Sequence, residues 1–346
     1  MIGAMLDAIA HCSGHPAEAV GKTVRPYRTP QVTERSHQFL LMLKPELTRA
    51  ALAADGAELL SWVFSVLKEH GTEFGAARVL SGTRIRRHHW VESHYEMLNA
   101  ISRHGMDRVS ATAGERLLRH RPETARDRVL GGHQFLECFP EFTARSLDVL
   151  AQNLPVTKFG AGTYATELMT DGVLWTVLNA FHPFQADHFS APGSCVVLVE
   201  CTSEEPLREI RARAVGATDP ARAEPGSIRR ELLERRPRWS GHWNVCTSLN
   251  AIHVSPGTIE GMFCVQRYFG GETQSLALAD TVLGAQLLAG GADPDRLDAL
   301  RTNPEVAVAG LRGPLFDITE DMPADDAADL ALRVLEQPDT RTRART

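Results

Sequence analysis

The stretch that decides the predicted fold is NAIHVS, residues 250–255, a short apolar segment that contains one histidine, His253. A helix is predicted directly after it, at residues 258–269. A neutral imidazole is a good nucleophile near neutral pH, because its pKa lies at about 6.5. The pattern therefore leaves two interpretations open for His253: a core histidine beside a short strand, or a nucleophile.

Working outward from this segment, strands and helices alternate along the chain. Apolar or β-branched runs predict buried strands at residues 37–43, 74–80 and 194–200. Helices are predicted between them, at residues 52–67, 83–103 and 204–215. The order strand, helix, strand, helix, insertion, strand, helix, short strand is close to the split βαβ arrangement of ferredoxin-like folds. We therefore predict an α+β protein with a ferredoxin-like core and an antiparallel sheet.

The predicted core leaves three regions outside it. Residues 1–36 are polar and are interpreted as an N-terminal extension. The pattern from about residue 101 to 180 is mostly helical, which predicts a helical insertion within a domain that spans residues 37–269. Residues 270–346 carry helical patterns near 274–289 and 324–336 and are interpreted as a C-terminal helical extension. Its last residues, 339–346, are polar and predicted to be disordered.

Composition excludes several classes of protein. The 346 residues include 37 basic and 43 acidic side chains, so the net charge of −6 gives no global basic surface for nucleic acid. Uninterrupted apolar runs such as Phe39–Leu43 fall far short of the roughly 20 residues that a membrane-spanning helix needs. The six cysteines form no CxxC pair, so we predict neither a disulfide framework nor a metal site. We expect a cytoplasmic protein without a secretory leader.

Five segments in a fixed order resemble the motifs of the nucleoside diphosphate kinase family. They are LKPE at 43–46, HY at 94–95, PF at 183–184, GATDPARAEPGSIR at 216–229 and NAIHVS at 250–255. The resemblance covers residues 37–100 and 181–269. It implies a ferredoxin-like core and ping-pong phosphoryl transfer from ATP or another nucleoside triphosphate through a phosphohistidine. It also implies Mg²⁺ bound to the nucleotide phosphates.

The resemblance gives a role to each matching residue. A phosphoryl group in transfer needs an in-line nucleophile and fixed positive charge around its oxygens. His253 is the expected nucleophile, and Lys44 and Arg229 are the expected phosphate-binding cations. The other expected roles are Thr218 at a phosphate, Asn250 at the ribose, Ser255 orienting the pocket beside the histidine, Tyr95 near the phosphate and Phe184 stacked on the base.

Structural alternatives stay open for several of these residues. Lys44 is equally the solvated end of a strand, and Arg229 with Arg230 forms a simple basic pair on a surface. Thr218 precedes Asp-Pro and has the position of a turn residue. Phe184 has the alternative of being an aromatic residue of the hydrophobic core.

Two substitutions depart from the family pattern. Cys264 aligns with the glutamate that orients the histidine, and Glu260, one helical turn earlier, is the predicted substitute. Ala212 aligns with a phosphate-binding arginine and is flanked by Arg211 and Arg213. Neighbouring positions on an α-helix point in different directions, so at most one of the two arginines takes that place.

Two segments are longer than in the family. The insertion separates Tyr95 from Phe184, which lie close in sequence in family members, and so falls where an acceptor is recognised. The second segment, residues 230–249, is basic and aromatic and is interpreted as a ligand clamp or a subunit contact. The basic and aromatic residues that support this interpretation are Arg235, Arg236, Arg238, Trp239 and Trp243.

The leading prediction is a phosphotransferase that passes the γ-phosphoryl group through His253 to a nucleoside diphosphate or to a specialised metabolite. Two alternatives are kept. One is a nucleotide-binding regulatory protein on a degenerate kinase fold, and the other is an ATP-dependent enzyme that uses the nucleotide site for a different activation reaction. The expected partners are a nucleotide and a small-molecule acceptor, without nucleic acid or membrane. Family members assemble as hexamers or tetramers, and we expect a homo-oligomer here.

Overall fold

The computed structural model describes residues 1–31, 36–120, 128–160, 162–234, 239, 243–270 and 275–337. Arg235, Arg236 and Arg238 of the basic segment lie outside the described residues, as does the predicted disordered end at 339–346.

The strands are numbered along the chain. They are β1 (Gly21–Arg25), β2 (His37–Leu43), β3 (Glu73–Ser81), β4 (Val129–Gly131), β5 (Val156–Gly160), β6 (Thr163–Thr170), β7 (Val173–Leu178), β8 (Cys195–Ser203), β9 (Ile252–Val254), β10 (Glu305–Val308) and β11 (Leu311–Pro314).

The helices are numbered in the same way. They are α1 (Ile2–Gly14), α2 (Pro45–Ala50), α3 (Gly56–Glu69), α4 (Gly82–Arg87), α5 (Trp90–His94), α6 (Glu96–His104), α7 (Ala111–His120), α8 (Gly132–Cys138), α9 (Ala144–Gln152), α10 (His182–Ser190), α11 (Leu207–Glu209), α12 (Ile228–Glu234), α13 (Thr258–Phe269), α14 (Val282–Ala289), α15 (Pro294–Ala299), α16 (Leu315–Ile318) and α17 (Ala324–Glu336). A π-helical turn, Ile210–Val215, follows α11.

The chain divides into two compact units. The first unit comprises Met1–Cys12, Gly21–Leu80 and Val196–Thr346, and the second comprises Ser13–Val20 and Ser81–Cys195. Along the described chain, no helix combines the length and the apolar character needed to cross a membrane.

The first unit is built on a five-stranded sheet in the order β1-β3-β8-β2-β9. Strand β2 runs antiparallel to both β8 and β9. The order β3-β8-β2-β9 is the strand order of a ferredoxin-like core, so the predicted α+β class is confirmed. Strands β2 and β8 are buried along their whole lengths, as their continuous apolar sequences predict.

The N-terminal residues contribute to this sheet. Strand β1 pairs antiparallel with β3, with Gly21 opposite Leu80, and forms one edge. Helix α1 buries Met5, Ile9 and Cys12. Residues 1–36, interpreted above as an extension, therefore supply both a strand and an apolar helix face.

The second unit contains a four-stranded sheet in the order β4-β7-β6-β5. Apolar residues of α6 and α7 pack on one face, and those of α8 and α9 pack on the other. The prediction of mostly helix at about 101–180 is wrong for residues 156–178, which form β5, β6 and β7. Strand β6 is mostly buried or half-buried, with Met169 exposed near its end. Asp171-Gly172 joins β6 to β7 with both φ angles positive, which is a hairpin signature.

The two ends of the second unit meet. The Gly82 amide donates a hydrogen bond of 2.7 Å to the Ser194 carbonyl oxygen. A Cβ at position 82 would lie 2.2 Å from the Ala191 carbonyl oxygen, so this close approach requires a glycine. The chain thus enters and leaves this unit at neighbouring positions.

Residues 275–337 belong to the first unit and pack on α13. Ile259, Met262 and Phe263 of that helix share an apolar cluster with residues of α14, α15 and α17. Helices at 282–289 and 324–336 match the helical patterns of the sequence. The antiparallel pair β10–β11 was not predicted, because each strand has only four residues and gives a weak periodic signal.

Candidate functional site

The pairing of β2 with β9 brings two of the motif segments together. His253 lies opposite Met42 in this ladder, and Lys44 follows directly after β2. The Lys44 amide donates to the Ala251 carbonyl oxygen at 2.8 Å. Because β9 is an edge strand of the sheet, the half-buried His253 stands at its border.

Lys44 and Asn250 form a buried polar pair. Lys44 Nζ donates to Asn250 Oδ1 at 2.6 Å, and the two residues are only 5% and 2% exposed. The pKa of Lys44 is lowered to about 8, mainly by burial; Glu46 opposes this shift and the Arg229 charge adds to it. Asn250 Nδ2 donates to the carbonyl oxygen of the exposed Thr218 at 3.0 Å. The pair therefore links the LKPE segment to the GATDP loop.

Arg229 joins the same loop to the strand that carries His253. Its Nη1 donates to the Gly216 carbonyl oxygen at 2.8 Å. Its Nε and Nη2 donate to the carbonyl oxygens of Asn250 and Ile252, at 3.3 and 2.6 Å. The side chain is buried, so these contacts are made away from bulk water, where hydrogen bonds to a charged group are strong.

Glu46 is a site residue to which the sequence analysis gave no role. Its Oε1 accepts from the Ala251 amide at 2.9 Å. Ala251 has a φ of 72°, a left-handed conformation that costs a non-glycine residue about 1–3 kcal/mol. Glu46 and the Lys44 amide together hold this strained residue two positions before His253. The sequence signal that could have identified Glu46 is its place within the LKPE segment.

Ser255 fixes the other end of β9. Its amide donates to the Leu40 carbonyl oxygen at 3.0 Å, and its Oγ accepts from the Leu40 amide at 3.1 Å. The Ser255 side chain also bonds to the Cys264 thiol, and burial raises the pKa of that thiol to about 12. Ser255 is fully buried and thus connects β2, β9 and α13.

Glu260 lies half-buried on α13. Burial raises the pKa of its carboxyl group to about 7, with further upward contributions from Glu320 and Asp317. Arg211 and Arg267 lower it. Glu260 therefore changes charge near neutral pH.

The two arginines beside Ala212 have different surroundings. Arg211 Nη1 donates to the carbonyl oxygen of Pro256, three residues after His253, at 3.2 Å. Arg213 is 63% exposed, and its Nε lies 3.4 Å from a Glu209 carboxylate oxygen on the preceding turn. Arg211 is thus the one that contacts the histidine segment.

Tyr95 and Phe184 lie in the second unit, while the other predicted site residues lie in the first. The Tyr95 ring centroid is 6.5 Å from that of His182 and 6.3 Å from that of Phe189. The Phe184 ring lies under the Arg145 guanidinium, 4.4 Å from its centroid. These partners of the two rings belong to the second unit.

The two tryptophans of the segment 230–249 differ in burial, since Trp239 is buried and Trp243 is half-buried. The ring centroid of Trp239 lies 4.6 Å from that of Trp62. Trp243 Nε1 donates to the Leu249 carbonyl oxygen at 3.2 Å. These contacts anchor the segment that precedes Asn250.

No protein-family model matches the chain, and no curated protein matches it. Among solved structures, it is similar to a nucleoside-diphosphate kinase from Borrelia burgdorferi with bound vanadate and ADP (15% identity, 70% of this chain and 92% of that chain, TM-score 0.32). It is also similar to the nucleoside diphosphate kinase from Encephalitozoon cuniculi (14%, 70% and 95%, 0.32) and to an NDP kinase from Pyrobaculum aerophilum (16%, 70% and 99%, 0.32). At these identities and TM-scores, the likeness says nothing about the reaction or the substrate of this chain.

Proposed function

We propose that this protein is a phosphotransferase in which His253 accepts the γ-phosphoryl group of a nucleoside triphosphate. The observation that carries the proposal is the hydrogen-bonded cluster of Lys44, Asn250 and Arg229 around the strand of His253. Three segments far apart in sequence supply these residues. A buried lysine and a buried arginine that bond to the residues around His253 suit the transfer of a group that carries several negative charges.

The proposed reaction consists of two displacements. A nitrogen of His253 attacks the γ-phosphorus, a P–N bond forms, and the bond to the β-phosphate oxygen breaks to release the diphosphate. An oxygen of the acceptor then attacks the same phosphorus, and the P–N bond breaks, which restores the imidazole. We propose a nucleoside diphosphate or a specialised metabolite as the acceptor, because either can present such an oxygen.

The residues of the cluster would bind and orient the phosphates. An ammonium group has three donors and a guanidinium group has five, so Lys44 and Arg229 have the capacity to bond phosphate oxygens as well as protein oxygens. Lys44 and Arg229 are cationic donors and suit phosphate rather than a metal ion. Mg²⁺ would therefore arrive on the nucleotide, where it would neutralise phosphate charge.

A second candidate function is nucleotide binding without transfer, on a degenerate kinase fold. The favouring observation is that Lys44, Arg229 and Asn250 are less than 10% exposed and bond to one another or to backbone carbonyl oxygens. In this case the cluster serves to hold the loops in place, and Cys264 supplies no carboxylate to the histidine.

Labelling with γ-labelled ATP and Mg²⁺ separates the two candidates. The proposal expects acid-labile, base-stable label on the protein, with loss of label in His253→Asn. The matched control is His104→Asn, an exposed histidine of the second unit, which should keep the label. Absence of label in the unaltered protein, or label that survives His253→Asn, contradicts the proposal. ATP binding by calorimetry without label would support the regulatory function.

The acceptor is tested with the labelled protein. It is isolated free of ATP and mixed with single nucleoside diphosphates and, separately, with phosphorylated or carboxylate-bearing metabolites. Transfer to diphosphates supports a nucleoside diphosphate kinase activity. Transfer to a metabolite alone identifies the specialised acceptor, and rejects the simple kinase activity.

A further inference from the structure

Arg211 occupies an unusual helical turn at the start of the GATDP loop. The Gly216 amide donates to the Arg211 carbonyl oxygen at 3.0 Å, a bond that spans five residues and closes a π-helical turn. An α-helical turn would join Gly216 to Ala212 instead. The additional residue places Arg211 one turn before Gly216, where α-helical spacing predicted position 212. Single π-turns of this kind recur at functional sites.

The Arg211 guanidinium is held by two carboxylates of the C-terminal region. Nη1 donates to Asp321 Oδ1 at 2.5 Å, and Nη2 donates to Glu320 Oε1 at 2.8 Å. Arg211 is 29% exposed, and the carboxylates are 36% and 33% exposed, so these pairs are partly shielded from solvent. Such charge-assisted bonds fix the direction of a guanidinium group.

The same groups converge on the turn that ends β9. The Pro256 carbonyl oxygen accepts from Arg211 Nη1 at 3.2 Å and from the Asp321 amide at 3.0 Å. Asp321 has a φ of 60°, a left-handed conformation that persists only where its surroundings hold it. A Cβ on Gly257 would lie 2.9 Å from the Thr319 carbonyl oxygen, so the two segments are closely packed. Two separate segments therefore clamp one carbonyl oxygen.

We infer that Arg211, held by Glu320 and Asp321, is a positioning residue that fixes the turn after His253 and thereby the direction of the imidazole. This inference rests on the proposed phosphotransfer through His253. It gives the C-terminal region a part in the site, although the family resemblance ends at residue 269. Glu260 lies in the same charged group, since Glu320 and Arg211 act on its carboxyl in opposite directions.

The first test does not depend on activity. Hydrogen exchange of the amides at 255, 257 and 258 is measured in Arg211→Gln and Asp321→Asn, together with the ¹H–¹⁵N ring signals of His253. We expect exchange about tenfold faster and shifted ring signals in both variants. Arg213→Gln is the matched control, because this neighbouring arginine is exposed and should leave both readouts unchanged. Unchanged exchange and ring signals in Asp321→Asn, the milder variant, would overturn the inference.

The second test separates positioning from nucleotide binding. Single-turnover labelling of His253 is followed over a range of ATP concentrations. In Arg211→Gln the maximal rate should fall about tenfold, while the half-saturating concentration stays within about twofold. Arg211→Lys should recover part of the rate. A changed half-saturation with an unchanged maximal rate would overturn the positioning role. Absence of label in the unaltered protein rejects the proposed function, and the exchange and ring signals then decide the inference alone.

Discussion

Replacing Arg229 by methionine should destabilise the first unit strongly. Methionine keeps most of the side-chain length but removes every donor. The three carbonyl oxygens of Gly216, Asn250 and Ile252 then lose the guanidinium that they share. Since Arg229 is only 8% exposed, water has little access to replace it.

The size of the effect follows from these three contacts. A buried acceptor left without its partner costs about 1–3 kcal/mol. The Asn250 carbonyl oxygen keeps its bond of 2.9 Å from the Ile252 amide, so the other two acceptors give a range of about 2–6 kcal/mol. Burial is the main cause of the lowered pKa of Lys44, and the Arg229 charge adds to it, so removal of that charge relieves some repulsion. We therefore expect a loss in the lower half of this range, about 3 kcal/mol.

Urea denaturation followed by tryptophan fluorescence measures this loss, because Trp62 and Trp239 both belong to the first unit. The matched control is Arg230→Met. Its guanidinium pairs with Glu234 on the protein surface, so we expect a loss of about 0–1 kcal/mol. A loss below about 1 kcal/mol in Arg229→Met would refute the reasoning that its bonds hold the site together.

Three further predictions concern burial and charge. Gly75→Ala places a Cβ 1.7 Å from Glu200 Oε2, so it should displace that carboxylate and lower the unfolding midpoint in urea. Gly3 has open space around it, so the control Gly3→Ala should leave the midpoint unchanged, and equal midpoints for the two variants would contradict the close approach. The pKa of Lys44 is lowered from 10.5 to about 8, so between pH 8 and 10.5 the unfolded state binds more protons than the folded state. The free energy of unfolding, measured relative to Lys44→Met, should therefore rise by roughly 3 kcal/mol over this pH range. A free-energy difference that does not change with pH would show that the ammonium is not buried. Burial lowers the pKa of His182 from 6.5 to about 3, so the stability of the protein should fall as the pH drops below about 6.5. Thermal unfolding at pH 7 and pH 4 should show a smaller loss of stability in His182→Asn than in the unaltered protein. An identical loss in both proteins would contradict the prediction.

The sequence was most informative where burial is continuous. Strands β2 and β8 are covered on both faces, so their segments read as unbroken apolar runs. Strand β1, GKTVR, is a partly exposed edge strand, and its mixture of polar and apolar residues gives no such run. The hairpin of β6 and β7 did carry the Asp-Gly turn of a strand pair, which the helical interpretation overlooked.

Three of the five motif segments contact one another, but their spacing did not predict how. They are LKPE, GATDPARAEPGSIR and NAIHVS. Lys44, Asn250 and Arg229 lie in one cluster, as segments of a shared site should. Their mutual hydrogen bonds depend on tertiary packing, which a one-dimensional pattern does not contain. The role of Arg211 was hidden for a related reason: a π-turn changes the count of residues per turn, and periodicity analysis assumes the α-helical count.

The hydrogen bond between Gly82 and Ser194 affects the entropic cost of placing a large segment between two strands. Strands β3 and β8 are neighbours in the sheet, so a short loop would be enough to connect them. An added segment whose own ends are adjacent lengthens that loop at little entropic cost, because closure entropy grows only with the logarithm of loop length. The second unit therefore takes the place of a loop between two neighbouring strands, and its length adds little to the entropic cost of joining them.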